Sequence, residues 1–253
     1  MHYQEFNLSS NKTAVLLHGL GANGNSWQFQ WQALADAGYR VIVPDMFGFG
    51  KSPYENKKNT IESMADDVNK LLLNLGVEKA VFVGLSMGGA IAMRFALKYP
   101  AKVEKLILAN TAARFANKIG GNIYKIMKRI FVMSVMPRKY GATMVSRFVF
   151  PKAGQDEFRQ EFFNEIMMSS KTAYFDSVKS IIRHDVRKDL PNINIPTLVI
   201  GGSHDMVTPN FLQRFLAENI KGSKLVIIEG AGHVSSVDSA EHFNKEMLEF
   251  LAA

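Results

Sequence analysis

At 253 residues, with 47% hydrophobic and 21% charged side chains and a mean hydropathy of −0.03, the chain has the make-up of a globular protein with room for one α/β domain or for a core carrying an inserted subdomain. No apolar run approaches the ~20 residues of a membrane span, and the opening MHYQEFNLSS lacks the basic-then-apolar pattern of a signal peptide, so the cytoplasm is the expected compartment. The absence of cysteine excludes disulfides, thiol catalysis and cysteine-ligated metal, and the net charge of +7 is too unevenly spread for a general nucleic-acid coat.

Residues 3–8 are expected to form an antiparallel edge strand. The short, continuously apolar runs 13–17, 40–43, 80–83, 105–109, 197–200 and 224–228 read as buried strands. Amphipathic, helix-like stretches lie between or after them at 26–37, 60–75, 87–99, 209–219 and 237–251. This alternation predicts a mainly parallel sheet with helices on both faces, and in such sheets ligands bind beyond the carboxyl ends of the strands.

The alternation stops between 111 and 190. Here the pattern turns helical, rich in Met and Phe, with breaks expected at Pro137 and Pro151. Residues 111–190 are therefore expected to form a mostly helical cap inserted into a core made of 1–110 and 191–253. The charge excess lies at the same place. From Lys105 to Gln155 there is no Asp or Glu but ten basic residues, leaving 20 basic against 23 acidic residues elsewhere. Solvated helix faces, attraction of an anionic substrate and docking on an anionic membrane surface all fit that segment.

The chemistry is concentrated at strand ends. Gly84-Leu85-Ser86-Met87-Gly88 follows the run 80–83 and opens the stretch 87–99, the setting of a strand-to-helix nucleophile elbow. A serine hydroxyl needs a neighbouring base, usually a histidine oriented by a carboxylate. Of six histidines, His233 alone ends a C-terminal strand after a Gly-Ala-Gly hinge; His18 precedes a Gly-rich loop, His204 neighbours an aspartate, and His2, His184 and His242 lie at a terminus, in the cap and on a late helix. Asp205, directly after the run 197–200, is the strand-end carboxylate best placed as the acid. Asp45 is read instead as ordering the Phe47-Gly48-Phe49-Gly50 turn, and Asn110 lacks the charge to stabilise an imidazolium. Two amides are needed for an oxyanion hole, and Met87 and Leu20, the latter within His18-Gly19-Leu20-Gly21, are the candidates. Trp27 and Phe47 are candidate pocket walls, with ordinary packing as the alternative.

With these segments in this order, the chain resembles the α/β-hydrolase superfamily over about residues 10–252. The resemblance implies Ser86 as nucleophile, His233 as general base and acid, Asp205 as orienter, and the Leu20 and Met87 amides as oxyanion donors, with no cofactor and no metal. Haloalkane dehalogenases and epoxide hydrolases carry aspartate at the elbow, so Ser86 argues against both. Leu108-Ala109-Asn110-Thr111-Ala112-Ala113-Arg114 and the Gly-Leu-Ser-Met-Gly-Gly run are similar to 3-oxoadipate enol-lactonases, although many small carboxylesterases and haloperoxidase-like relatives share such motifs. The expected activity is hydrolysis of a small-molecule carboxylic ester, with an enol-lactonase or thioesterase acting on an anionic substrate as alternative. A small-molecule receptor of hydrolase fold with little turnover is an alternative of another class.

Overall fold

In the computed structural model, which describes residues 1–54, 58–116 and 136–253, seven strands form one sheet. They are β1 (Tyr3–Phe6), β2 (Lys12–Leu17), β3 (Tyr39–Pro44), β4 (Ala80–Leu85), β5 (Val103–Ala109), β6 (Thr197–Gly202) and β7 (Lys224–Ile228), in the spatial order β1-β3-β2-β4-β5-β6-β7. Only β1 runs antiparallel, against β3, as expected for the opening edge strand. The central strands are apolar along their whole length because both faces are covered: Ala80, Val81, Phe82 and Val83 are fully buried.

Register decides where the site can be. Leu17 pairs with Gly84, Leu85 with Ala109, Ala109 with Ile200, and Gly202 with Ile228. The carboxyl ends of β2, β4, β5, β6 and β7 therefore finish nearly level, and the segments that follow them emerge along one edge. Those segments begin at His18, Ser86, Asn110, Ser203 and Glu229.

Helices flank the sheet: α1 (Trp31–Asp36), α2 (Ile61–Asn74) and α3 (Met87–Lys98) in the first half, α7 (Asn210–Asn219), α8 (Ser235–Asp238) and α9 (Ala240–Ala252) in the second. Helix α2 starts where its sequence dictates. The Thr60 hydroxyl accepts from the Ser63 amide at 3.0 Å and the Thr60 amide donates to Ser63 Oγ at 2.9 Å, a reciprocal cap.

Two of the expected helices divide. The stretch 26–37 begins as a 3-10 turn, Gly24–Trp27, because the Asn23 side chain accepts from the Asn25 amide and Asp45 Oδ1 accepts from the Gly24 amide at 2.8 Å; α1 follows only from Trp31. The stretch 237–251 breaks at Ser239 (φ −146°, ψ 43°), and the carboxylate of Asp238 before the break accepts from the Gly232 amide at 2.8 Å.

Between β5 and β6 the chain leaves the sheet. The described part of this insertion holds α4 (Arg138–Val149), α5 (Asp156–Met168) and α6 (Lys171–Arg183). Residues 117–135 of the expected cap, with Lys118, Lys125, Lys128 and Arg129, lie outside the described residues. No helix among the described residues is long and apolar enough to cross a membrane.

Candidate active site

Ser86 sits between β4 and α3 with φ 53° and ψ −111°, a conformation that costs a non-glycine residue roughly 1–3 kcal/mol. The turn is held from several sides: the Ser86 amide donates to the Ala109 carbonyl at 2.9 Å, and Thr111 Oγ1 donates to the Ser86 carbonyl at 2.7 Å. Its flanking glycines are steric requirements. A Cβ at Gly84 would lie 2.4 Å from the Gly88 carbonyl oxygen, and one at Gly88 would lie 2.0 Å from the Leu17 carbonyl oxygen.

His233 Nε2 is 3.0 Å from Ser86 Oγ, and its Nδ1 is 3.0 and 3.1 Å from the two carboxylate oxygens of Asp205. An ionised carboxylate only accepts, so Nδ1 carries the proton and Nε2 offers its lone pair to the serine hydroxyl. Asp205 is nearly fully buried. Burial pushes its carboxyl up, but the neighbouring His233, the hydrogen bonds from His233 and Thr208, and that from Asn110 outweigh it and hold the group below the usual carboxylate range. The donors are close: the Val207 and Thr208 amides reach Oδ1 at 2.8 Å, and Thr208 Oγ1 and Asn110 Nδ2 reach Oδ2 at 2.6 and 3.0 Å. By its residue type Asn110 lacks the charge of an acid. In the structure it donates to the acid, while its own Oδ1 accepts from Ser235 Oγ at 2.5 Å.

Leu20, in the loop after β2, lines the same cavity as Ser86, and Met87 opens α3 directly after it. Among the described residues neither amide donates a hydrogen bond within the protein, Met87 because it opens its helix. His18 braces the Leu20 loop: the Met46 amide donates to its Nε2 at 3.0 Å, so Nδ1–H donates to the Gly19 carbonyl at 2.8 Å. Asp45 orders two loops at once, accepting from the Lys51 amide at 2.9 Å as well as from Gly24.

A cavity of about 340 Å³ opens on Ser86 and His233, in the size range of small-molecule sites. Its apolar lining includes Trp31, Val149, Phe150, Phe158 and Phe162. Its polar lining includes Asn23, Gln28, Glu161, Asn164 and Glu165. The two expected wall residues are elsewhere. Trp27 is fully buried with its ring 6.2 Å from that of Phe243, because the 3-10 turn rotates it into the core. Phe47 is half-buried outside the cavity lining, its carbonyl accepting from Asn59 Nδ2 at 2.7 Å. Sequence reasoning missed Trp31, Glu161 and Glu165.

The described part of the basic excess is largely tied into the fold. Lys105 donates to the carbonyls of Phe250 and Leu251, Arg138 to those of Ile166 and Ser169, and Arg114 and Lys152 pair with Asp185 and Asp238.

A level strand edge, a serine in a glycine-flanked turn and a histidine–aspartate pair beside it define the architecture of an α/β hydrolase. Residues 13–240 match the α/β hydrolase fold family, and the chain belongs to it. It is 31% identical to the AB hydrolase superfamily protein YisY of Bacillus subtilis, over 96% of this chain and 92% of that protein. Identity is 30% to 3-oxoadipate enol-lactonase 2 of Acinetobacter baylyi, over 96% of this chain and 90% of the relative. Among solved structures, an esterase from Exiguobacterium antarcticum superposes with a TM-score of 0.93 at 28% identity, covering 100% of this chain and 95% of the other.

Proposed function

We propose that the protein hydrolyses carboxylic esters by two-step acyl transfer through Ser86, His233 and Asp205. The observation that carries this is the unbroken line from Ser86 Oγ to His233 Nε2 at 3.0 Å and from His233 Nδ1 to Asp205 at 3.0 Å. As Oγ attacks the ester carbonyl, its proton passes to Nε2 and the carbonyl π pair moves onto oxygen, where the Leu20 and Met87 amides receive the negative charge. The intermediate collapses, the C–O bond to the leaving group breaks, and the Nε2 proton goes to the departing alkoxide. Water then repeats the sequence on the acyl-enzyme, with His233 as base, and releases the acid. Asp205 stays ionised throughout, fixing the tautomer and stabilising the imidazolium. The relatives named as an esterase and an enol-lactonase support ester chemistry at such a site.

The test is steady-state hydrolysis of a short p-nitrophenyl ester. The wild type is expected to turn over many times, and Ser86→Ala to lose at least about 10³-fold in kcat with its fold intact. A single covalent event followed by arrest would support a receptor instead.

A further inference from the structure

We propose that the cavity beside Ser86 takes esters bearing a cationic amino group, with Glu161 and Glu165 as the counter-charges. This rests on the hydrolysis proposed above and names its substrate class. On α5, Phe158, Glu161, Phe162, Glu165 and Met168 recur at helical spacing, and all five line the cavity, so they share the face turned to it. Two of these five positions are carboxylates. No Lys or Arg is among the described residues of the lining.

Neither glutamate is in an ion pair among the described residues. Glu161 Oε2 accepts only from the neutral amide of Gln28, at 3.1 Å. Burial, with the negative charges of Glu161 and Asp45 beside it, pushes the Glu165 carboxyl up to about 8 against a hydrogen bond from the Asn23 amide. Glu165 is half-buried and Glu161 exposed, and a partly buried carboxyl without a counter-ion is an arrangement that a bound cation relieves. Anionic substrates meet the opposite situation: the positive residues of the 105–155 segment are absent from the described lining, Glu161 brings a carboxylate, and Glu165, protonated near neutral pH, gains its charge only as a bound cation lowers its pKa. The phenyl rings of Phe158 and Phe162 suit the carbon chain that would join the amine to the ester group.

The experiment compares three matched acetate esters of short alcohols: ω-amino, plain alkyl of the same length, and ω-carboxy. The wild type is expected to favour the amino ester over the alkyl ester by at least about tenfold in kcat/KM, the worth of one charge-assisted hydrogen bond, and to act least on the carboxy ester. In the double variant Glu161→Gln, Glu165→Gln that ratio is expected to fall towards unity. Calorimetric titration of the wild type with the three parent alcohols reads the same preference without turnover. Equal handling of amino and alkyl compounds in both measurements, a preference for the carboxylate, or no selective binding by the amino alcohol overturns the proposal, and the wild-type comparison does so even if the double variant fails to fold. Selective amine binding without hydrolysis of any ester overturns the hydrolase reading and leaves the cationic site standing.

Discussion

Replacing His184 with Leu should flatten the acid side of the stability profile. His184 caps the carboxyl end of α6 and is buried; neither ring nitrogen has a hydrogen-bond partner among the described residues. Burial, and next the charge of Arg94, lowers its pKa from 6.5 to about 4, with Asp185 pulling the other way. The folded value lies below the unfolded one, so in that window the unfolded chain binds a proton that the folded chain refuses. The group's contribution is intact above 6.5 and is lost as pH falls towards about 4. Linkage puts the loss between about pH 7 and 4.5 at roughly 2 kcal/mol. Glu165, with its carboxyl raised from 4.5 to about 8, acts in the opposite direction across this whole range, favouring the folded state at lower pH. The wild-type profile alone therefore mixes the two, and the quantity to read is the difference between wild type and His184→Leu. Urea unfolding at several values between about pH 4.5 and 7.5 supplies it. The variant should gain on the wild type by roughly 2 kcal/mol on acidification, whatever constant offset the smaller packing change adds. A difference that stays level within about 0.5 kcal/mol would refute the reasoning.

Two further outcomes follow from the elbow and its supports. Gly88→Ala drives a methyl into the Leu17 backbone carbonyl, which has no flexible end to yield, and should cost roughly 3 kcal/mol or more, read as a lowered midpoint in urea or loss of folded protein. Asn110→Ala removes a donor to Asp205 and leaves Ser235 Oγ without its acceptor; kcat should fall by about 10- to 100-fold with KM little changed, and an unchanged kcat would count against Asn110 as a positioning residue.

The fold was legible because its signals are local. Each parallel strand is a short apolar run, the turn at Ser86 is written in two glycines four residues apart, and the serine, the acid and the histidine each follow a strand end that the register brings level. Where the sequence reading failed, the cause was a contact distant in the chain. Trp27 is a candidate wall by sequence, with ordinary packing as the alternative, and the bond from Gly24 to Asp45 decides for packing by tightening the segment into a 3-10 turn. Trp27 then points into the core, and Trp31, stacked on Phe6 at 4.7 Å, takes the cavity position. Glu161 and Glu165 look like ordinary solvent-facing charges on an amphipathic helix. Their place beside Ser86 depends on how α5 lies over the ends of the strands, which no local pattern encodes. Asn110 lacks the charge to replace Asp205 as the acid, but a neutral amide beside a buried carboxylate serves as its donor.

The central claim is that Ser86 carries the acyl group between the two steps. Rapid quenching of the wild type with a short p-nitrophenyl ester, followed by peptide mass spectrometry, reads it directly. One acyl group should appear on the peptide containing Ser86, form within the burst of nitrophenol and decay at the rate of turnover. Its absence from that peptide while nitrophenol is released catalytically, or undiminished turnover in Ser86→Ala, would contradict the account.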